Sequence, residues 1–140
     1  MRLRASFAAV VALVLVVVAP EATGERRWWW LYGMSLLAET AVLVDDEESA
    51  ANLYDSLTPW AELNAVDVAE GCRGAVSRYL GLLAAMLGRR SEASAHFEHA
   101  IAANERMGFV PWAARAREDY KRTTGDTATL SAFPRRQSET

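Results

Sequence analysis

Apolar residues recur at helical spacing through most of the chain. Over 28–44 they fall at Trp30, Met34, Leu37, Ala41 and Val44, which predicts a helix buried along one stripe. A second helix is predicted over about 47–63, with Ala50, Leu53, Tyr54, Leu57 and Trp60 inward. Asp45-Asp46-Glu47-Glu48 supplies that helix with a cap and with negative charge at its positive end. Pro59 ends or kinks it, because the proline ring clashes with the preceding turn. Residues 64–71 are polar and read as an irregular linker. A third helix spans about 73–87, with Val76, Leu80, Leu83 and Leu87 on one stripe, and Gly88 ends it. Ser91 is the expected N-cap of a fourth helix, and Glu92 lies in its first turn. Met107-Gly108 closes this helix, with Gly108 as a left-handed cap. Pro111 suits the first position of a fifth helix, about 111–122. Residues 125–140 are polar, contain Pro134 and read as a frayed tail.

Residues 1–24 follow a different pattern. Arg2 and Arg4 precede an unbroken apolar run over 7–19 and then Pro20, which is the grammar of a secretory signal. The run is short for a helix that spans a bilayer. Its cleavage pattern is poor: a cut after Ala19 makes Pro20 the first mature residue, and a cut after Ala22 places Pro20 and Glu21 just before it. Three readings stand: a signal or membrane anchor through residues 7–19, an apolar helix that packs on the next repeat, and a start placed inside a longer gene.

The stretch 79–108, YLGLLAAMLGRRSEASAHFEHAIAANERMG, alternates small and large residues as a tetratricopeptide unit does. Leu80 and Gly81 open the pattern, Gly88 marks the turn, and Ala93, Phe97 and Ala100 follow in the second helix. The reason is steric. Gly81 and Ala93 let two helices approach closely, and Phe97 fills the space against the neighbouring pair. Ala50, Tyr54 and Leu57 repeat the spacing about 43 residues earlier, against a usual period of about 34. The expected fold is all-α, a tetratricopeptide-like stack of antiparallel helical hairpins with about five helices over 28–124. An apolar segment over 1–24 precedes it and a polar tail over 125–140 follows. Stacks of this kind present binding surfaces rather than active sites.

Charge and composition narrow the function further. The formal charge is −3 and the pI about 5.4, which argues against direct nucleic-acid binding, since that requires a basic face. Lys121 is the only lysine among 15 basic residues, a bias of the genome more than a phosphate-binding signal. Cys72 is the only cysteine, so no internal disulfide is implied, and a small apolar role suits it better than a catalytic one.

No residue set commits the chain to a reaction, and no cofactor is expected. Glu92, His96 and His99 share one helix face, a spacing that zinc sites use, but a closed site needs more ligands, and a solvated flank is the plainer role. Trp28, Trp29, Trp30 and Tyr32 cannot all face one core, because successive helical positions point about 100° apart. Trp28, Trp29 and Tyr32 are therefore candidates for partner contact, with packing against the N-terminal run as the plainer role. In a stack of hairpins the concave face comes from the first helix of each pair. Arg73, Ser77, Arg78 and Arg117 are its candidate lining, with an arginine fork to clamp a partner carboxylate. Arg115 and Asp119, with Trp112 and Tyr120 on the same helix, are spaced as a surface ion pair of little energetic weight. Arg135-Arg136-Gln137-Ser138 resembles a basic phosphorylation site and reads as tail.

Three longer segments add a resemblance: WLYGMSLLAETAVLV, LYDSLTPWAELNAVDVAEGCRGAVSRYLGLLAAMLGR and HFEHAIAANERMGFVPWAARAREDYKR. Together they resemble the C-terminal tetratricopeptide-type region of large bacterial signalling ATPases, which carry a class III adenylate/guanylate cyclase or a LuxR-type helix-turn-helix. The resemblance covers roughly 28–124. It implies a cytoplasmic sensor or scaffold arm that takes a protein or peptide partner and carries no catalytic residues. The chain departs from that family in having no G-x-x-x-x-G-K-[ST] loop and no cyclase or DNA-reading segment, and in its Val-rich N-terminal run. The expected function is a non-enzymatic protein-interaction module, with an exported or membrane-anchored helical-repeat adaptor as the alternative.

Overall fold

A computed structural model describes residues 2–17, 27–67 and 69–125 of the chain. Its elements are α1 (Arg2–Val17), α2 (Arg27–Val44), α3 (Glu47–Leu57), a 3₁₀ turn (Thr58–Trp60), β1 (Asn64–Asp67), β2 (Gly71–Ala75), α4 (Val76–Met86), α5 (Arg90–Arg106) and α6 (Val110–Thr124). The described chain is mostly helical, with six helices and one small two-stranded sheet. None of these helices is long and apolar enough to cross a membrane.

The helix boundaries follow local chemistry. Asp46 caps α3: its Oδ1 accepts from the Ser49 amide at 3.1 Å and its Oδ2 from the Ser49 hydroxyl at 2.8 Å. Helix α3 stops at Leu57, and Pro59 falls in the 3₁₀ turn that follows. Three helix ends close in the same way. Behind α4, Gly88 N–H donates to Ala85 O and Arg89 N–H to Ala84 O (3.1 and 2.9 Å). Behind α5, Gly108 and Phe109 repeat those bonds to Glu105 and Asn104 (3.0 and 2.8 Å), and behind α2, Asp45 and Asp46 do so to Val42 and Ala41 (3.3 and 3.0 Å). Each turn needs one left-handed residue, supplied by Gly88 (φ 73), Gly108 (φ 71) and Asp45 (φ 55).

Three expectations are corrected. Residues 64–71 are not an irregular linker, so the chain is not wholly α. Asn64 pairs with Ala75, Val66 with Cys72 and Asp67 with Gly71 in an antiparallel hairpin with a bulge. Asp67 Oδ1 holds its turn by accepting from the amides of Ala69 (2.8 Å) and Glu70 (3.1 Å). The third predicted helix consequently begins at Val76 rather than at 73, because Arg73 belongs to β2. Ser91 is not an N-cap. The turn at Gly88 restarts the next helix at Arg90, and Arg89 accepts the first helical bond with no side-chain cap.

Each helix packs on the next from α2 onward, and α4 also meets α2 and α6. This sets α2, α4 and α6 side by side, with α3 and α5 behind them. Helix α4 is the centre: every residue from Val76 to Ala84 is buried. Helix α1 lies against α3 and α2 through Val11, with Phe7 packed beside it.

Gly81 sets the spacing of α4 and α5. A Cβ there would stand 2.9 Å from the Phe97 ring, which is itself fully buried and stacked on Tyr120 at 5.5 Å. Gly81→Ala would ordinarily gain up to about 1 kcal/mol of helix propensity. We predict instead a net loss of about 1 kcal/mol or more, because overpacking costs about 1–3 kcal/mol. Chemical denaturation reads the sign directly, and a stabilised variant would contradict the close approach.

Candidate functional site

Three of the functional candidates, Tyr32, Arg73 and Arg78, meet where α2, α4 and α6 face one another beside β2. Arg73 leaves β2 toward α2. Its Nε donates to Ser35 Oγ at 2.9 Å and its Nη2 pairs with Glu39 Oε2. The guanidinium stands 5.6 Å from the Tyr32 ring centroid, 5.8 Å from Tyr79 and 6.0 Å from Trp112. The Tyr79 hydroxyl donates to the Arg73 carbonyl at 2.7 Å and holds that backbone in place.

Arg78 lies deeper, with its side chain 2% exposed. Its Nε and Nη2 reach Asp119 Oδ2 at 2.7 and 2.6 Å, and its Nη1 donates to Glu39 Oε1 at 3.0 Å. Burial opposes the guanidinium charge; Tyr79, Asp119 and Glu39 outweigh it and keep the pKa above the ordinary value. Burial also raises the Tyr79 pKa, against the two neighbouring arginines. Glu39 thus serves two arginines from α2, and Asp119 ties α6 to α4. Asp119 Oδ1 accepts from Arg122 Nη2 at 2.8 Å, where the Arg122 side chain is 67% exposed.

The structure separates the residues proposed from sequence. Tyr32, Arg73 and Arg78 come together. Ser77 is fully buried on α4 and its hydroxyl has no hydrogen-bond partner among the described residues. Arg117 pairs with Glu105 of α5, away from Arg73 and Arg78. Arg78 is committed to two internal carboxylates, and burial keeps it from a partner carboxylate in this arrangement. Trp29 is partly exposed, and for Trp28 only the helical backbone is described. The surface ion pair read into Arg115 and Asp119 is corrected: Asp119 is buried and taken by Arg78 and Arg122. Arg115 stays exposed on the same stripe of α6 as Trp112 and Arg122. The tail motif 135–138 lies outside the described residues.

Glu39 and Asn104 were missed. Glu39 had a signal, being the only acidic residue of a mostly apolar 18-residue helix. Asn104 is fully buried, and its Oδ1 accepts from the Ala75 amide at 3.1 Å, fixing β2 on α5. A Cβ on Gly74 would stand 2.9 Å from Trp112 Cβ, so β2 also presses on α6.

Glu92, His96 and His99 do not converge on one point. The Tyr54 hydroxyl donates to Glu92 Oε2 at 2.8 Å and lies 2.9 Å from His96 Nε2. With the phenol proton directed at Glu92, the phenol oxygen accepts from His96 in the tautomer that carries its proton on Nε2. His99 pairs instead with Glu62 at 3.1 Å. Among the described residues no group of three His, Cys, Asp or Glu is arranged to hold a metal ion. Burial, then Glu92, push the Tyr54 pKa up to about 12, and Arg89, 5.0 Å from the ring centroid, opposes them.

Two predictions follow from these contacts. Asp119→Ala leaves Arg78 buried with Glu39 alone, and is expected to cost about 3 kcal/mol in urea unfolding, the scale of breaking a buried pair. A loss within about 0.5 kcal/mol, typical of surface changes, would contradict the burial. The second concerns pH. Burial lowers the His96 pKa below its usual 6.5, with Glu92 opposing and His99 reinforcing. The unfolded chain therefore takes up this proton first, so the stability it contributes is full above about 6.5 and is lost as pH falls through that value toward the folded pKa. The melting temperature should drop on acidification from about 7 to 5.5, and less steeply in His96→Gln. Equal slopes in the two proteins would refute the assignment.

Comparison with known protein families, curated proteins and solved structures gives no match to this chain.

Proposed function

We propose that the chain is a non-enzymatic protein-interaction module of tetratricopeptide type, related to the sensor arm of a bacterial signalling or transcriptional regulator. Its partner docks on the face shared by α2, α4 and α6. The observation that carries this function is the alternate contact of α2 with α4 and α4 with α6, with α3 and α5 behind. That is the arrangement expected when helical hairpins stack with their first helices side by side. The close approach of Gly81 to Phe97 supports the same unit.

The chemistry of the face favours an acidic peptide segment. Trp112 offers a half-buried aromatic surface, and Arg115 and Arg122 stand exposed on the same side of α6. Arg73 is also half-buried beside them, over Tyr32. Arg73, Arg78 and Arg122 face only Glu39 and Asp119 in the ion-pair network, which leaves the rim positive. An arginine fork binds a carboxylate through two parallel bonds. The docking residues are therefore Tyr32, Arg73, Trp112, Arg115 and Arg122, with Arg78 as the buried support.

The alternative, an exported or membrane-anchored adaptor, draws on the apolar α1 and its exposed Val10 and Leu13. The burial of Val11 against the helical core favours α1 as part of the assembly instead.

A peptide array probed with the full chain tests the proposal. Binding is expected to acidic peptides, to weaken at higher salt, and to fall at least about tenfold in Arg115→Glu or Arg122→Glu, since a hydrogen bond to a charged group contributes about 1.5–3 kcal/mol. Arg106→Glu, exposed at the end of α5, should leave it unchanged. A folded chain that binds no peptide, or binds without regard to Arg115 and Arg122, would refute this face as the docking site.

A further inference from the structure

Helix α2 is apolar on two opposite sides. Its inner side buries Trp30, Leu31, Met34, Ala38 and Ala41. Its outer side carries Trp29, Gly33, Leu36, Thr40 and Leu43, in alternating steps of four and three residues, which makes one stripe about 21 Å long. Trp29 is 39% exposed, Leu36 42% and Leu43 83%. The stripe contains no charge. Glu39, the only acid of the helix, points to Arg73 and Arg78. Thr40 donates its hydroxyl to the Leu36 carbonyl at 2.8 Å, which satisfies that polar group within the helix. At Gly33 an added Cβ would meet nothing within 4 Å. A helix apolar all round belongs in an interior, and contiguous exposed apolar surface marks an interface.

We infer that this stripe is a two-fold interface between two copies of the chain, with α2 antiparallel to the partner's α2. The stripe has the symmetry that such an interface requires. It runs large, small, large, small, large about Leu36. A two-fold axis at Leu36 sets that residue against the partner's Leu36, and Trp29 against the partner's Leu43. Gly33 then faces the partner's Thr40, so that the two narrow positions coincide and let the helix axes approach. The same patch serves both copies, which closes the assembly at a dimer.

Charge selects the antiparallel sense. Helix α2 opens at Arg27 and runs into Asp45, Asp46, Glu47 and Glu48, of which all but Asp46 are exposed. Antiparallel pairing brings the basic start of one helix to the acidic end of the other and opposes the two helix dipoles. Parallel pairing would set like charge on like. A contact of two helices is at the low end of stable interfaces, near 1,200 Å² in total, so the expected Kd is micromolar.

Light scattering on the full chain tests the dimer over about 1–200 μM, which brackets that Kd. The expected mass approaches twice 15.4 kDa at the top of the range. Leu36→Glu should abolish the dimer while the circular dichroism of the helices persists, because the side chain is partly exposed. Leu13→Glu, on the exposed side of α1, should leave the mass unchanged. Disulfide trapping fixes the register without adding a charge. In a Cys72→Ala background, Leu36→Cys should cross-link to a dimer under mild oxidation and Leu43→Cys should not, since only position 36 lies on the axis. A monomer across the range, an assembly that survives Leu36→Glu, or equal trapping at 36 and 43 would each overturn the proposal. If Leu36→Glu fails to fold, the trapping pattern decides.

Discussion

A guanidinium sits where a helical core would ordinarily place a leucine. Arg78 belongs to α4, the helix on which α2, α3, α5 and α6 all pack, and its side chain is almost wholly removed from water. A charge in that position is tolerable only if carboxylates meet it with good geometry. The chain supplies one from each flanking helix, Glu39 from α2 and Asp119 from α6. Much else follows from that requirement. It explains why the mostly apolar α2 keeps one acid, and why Asp119 turns inward and leaves Arg115 in solvent. It also explains why Arg73 settles on the second oxygen of Glu39, over the rings of Tyr32, Tyr79 and Trp112. The network is not by itself a source of extra stability, because hydrophobic residues of similar shape often stabilise as well as a buried ion pair. Its effect is to fix how α2, α4 and α6 lie beside one another, and so to place the aromatic and basic groups at the rim.

The sequence carried the helices better than the surfaces. Gly88, Gly108 and Pro111 are punctuation with a mechanism, and the helix ends fall where those residues allow. The contact of Gly81 with Phe97 was legible for the same reason, since a glycine inside a strong helix calls for close approach. The hairpin over 64–75 was not. Its strands are four and five residues long, one is glycine-rich, and the apolar alternation that marks a strand has no room to develop. Asp67 was the available cue, because an aspartate that accepts two later amides makes a turn. Ser91 misled because it has the chemistry of a cap, while the left-handed turn at Gly88 had already fixed where the helix resumes.

The candidate face shows what periodicity leaves out. Helical spacing put Arg73, Ser77, Arg78 and Arg117 forward as lining residues, but it does not say which arginines are already paired. Arg78 and Arg73 have internal carboxylates, and Arg117 turns to Glu105 on α5. The groups left for a partner are Trp112, Arg115 and Arg122; the sequence presented Arg115 only as half of a surface pair with Asp119, named Trp112 only as lying on the same helix, and gave Arg122 no role. Helix α2 then separates its roles by side: Glu39 supports the ion-pair network toward α4, the inner side packs in the core, and the outer side carries an uncharged apolar stripe. One helix thereby joins the proposed docking face to the proposed dimer contact.

The most direct test is nitrogen-15 NMR of the arginine side chains. A guanidinium held in a buried, doubly paired site should give an Arg78 Nε–H resonance that persists at neutral pH and exchanges with deuterated solvent far more slowly than that of exposed Arg122. That signal should disappear in Arg78→Lys and shift in Asp119→Asn. If the Arg78 Nε–H exchanges as fast as Arg122, the guanidinium is open to water, and the arrangement of α2, α4 and α6 described above is wrong.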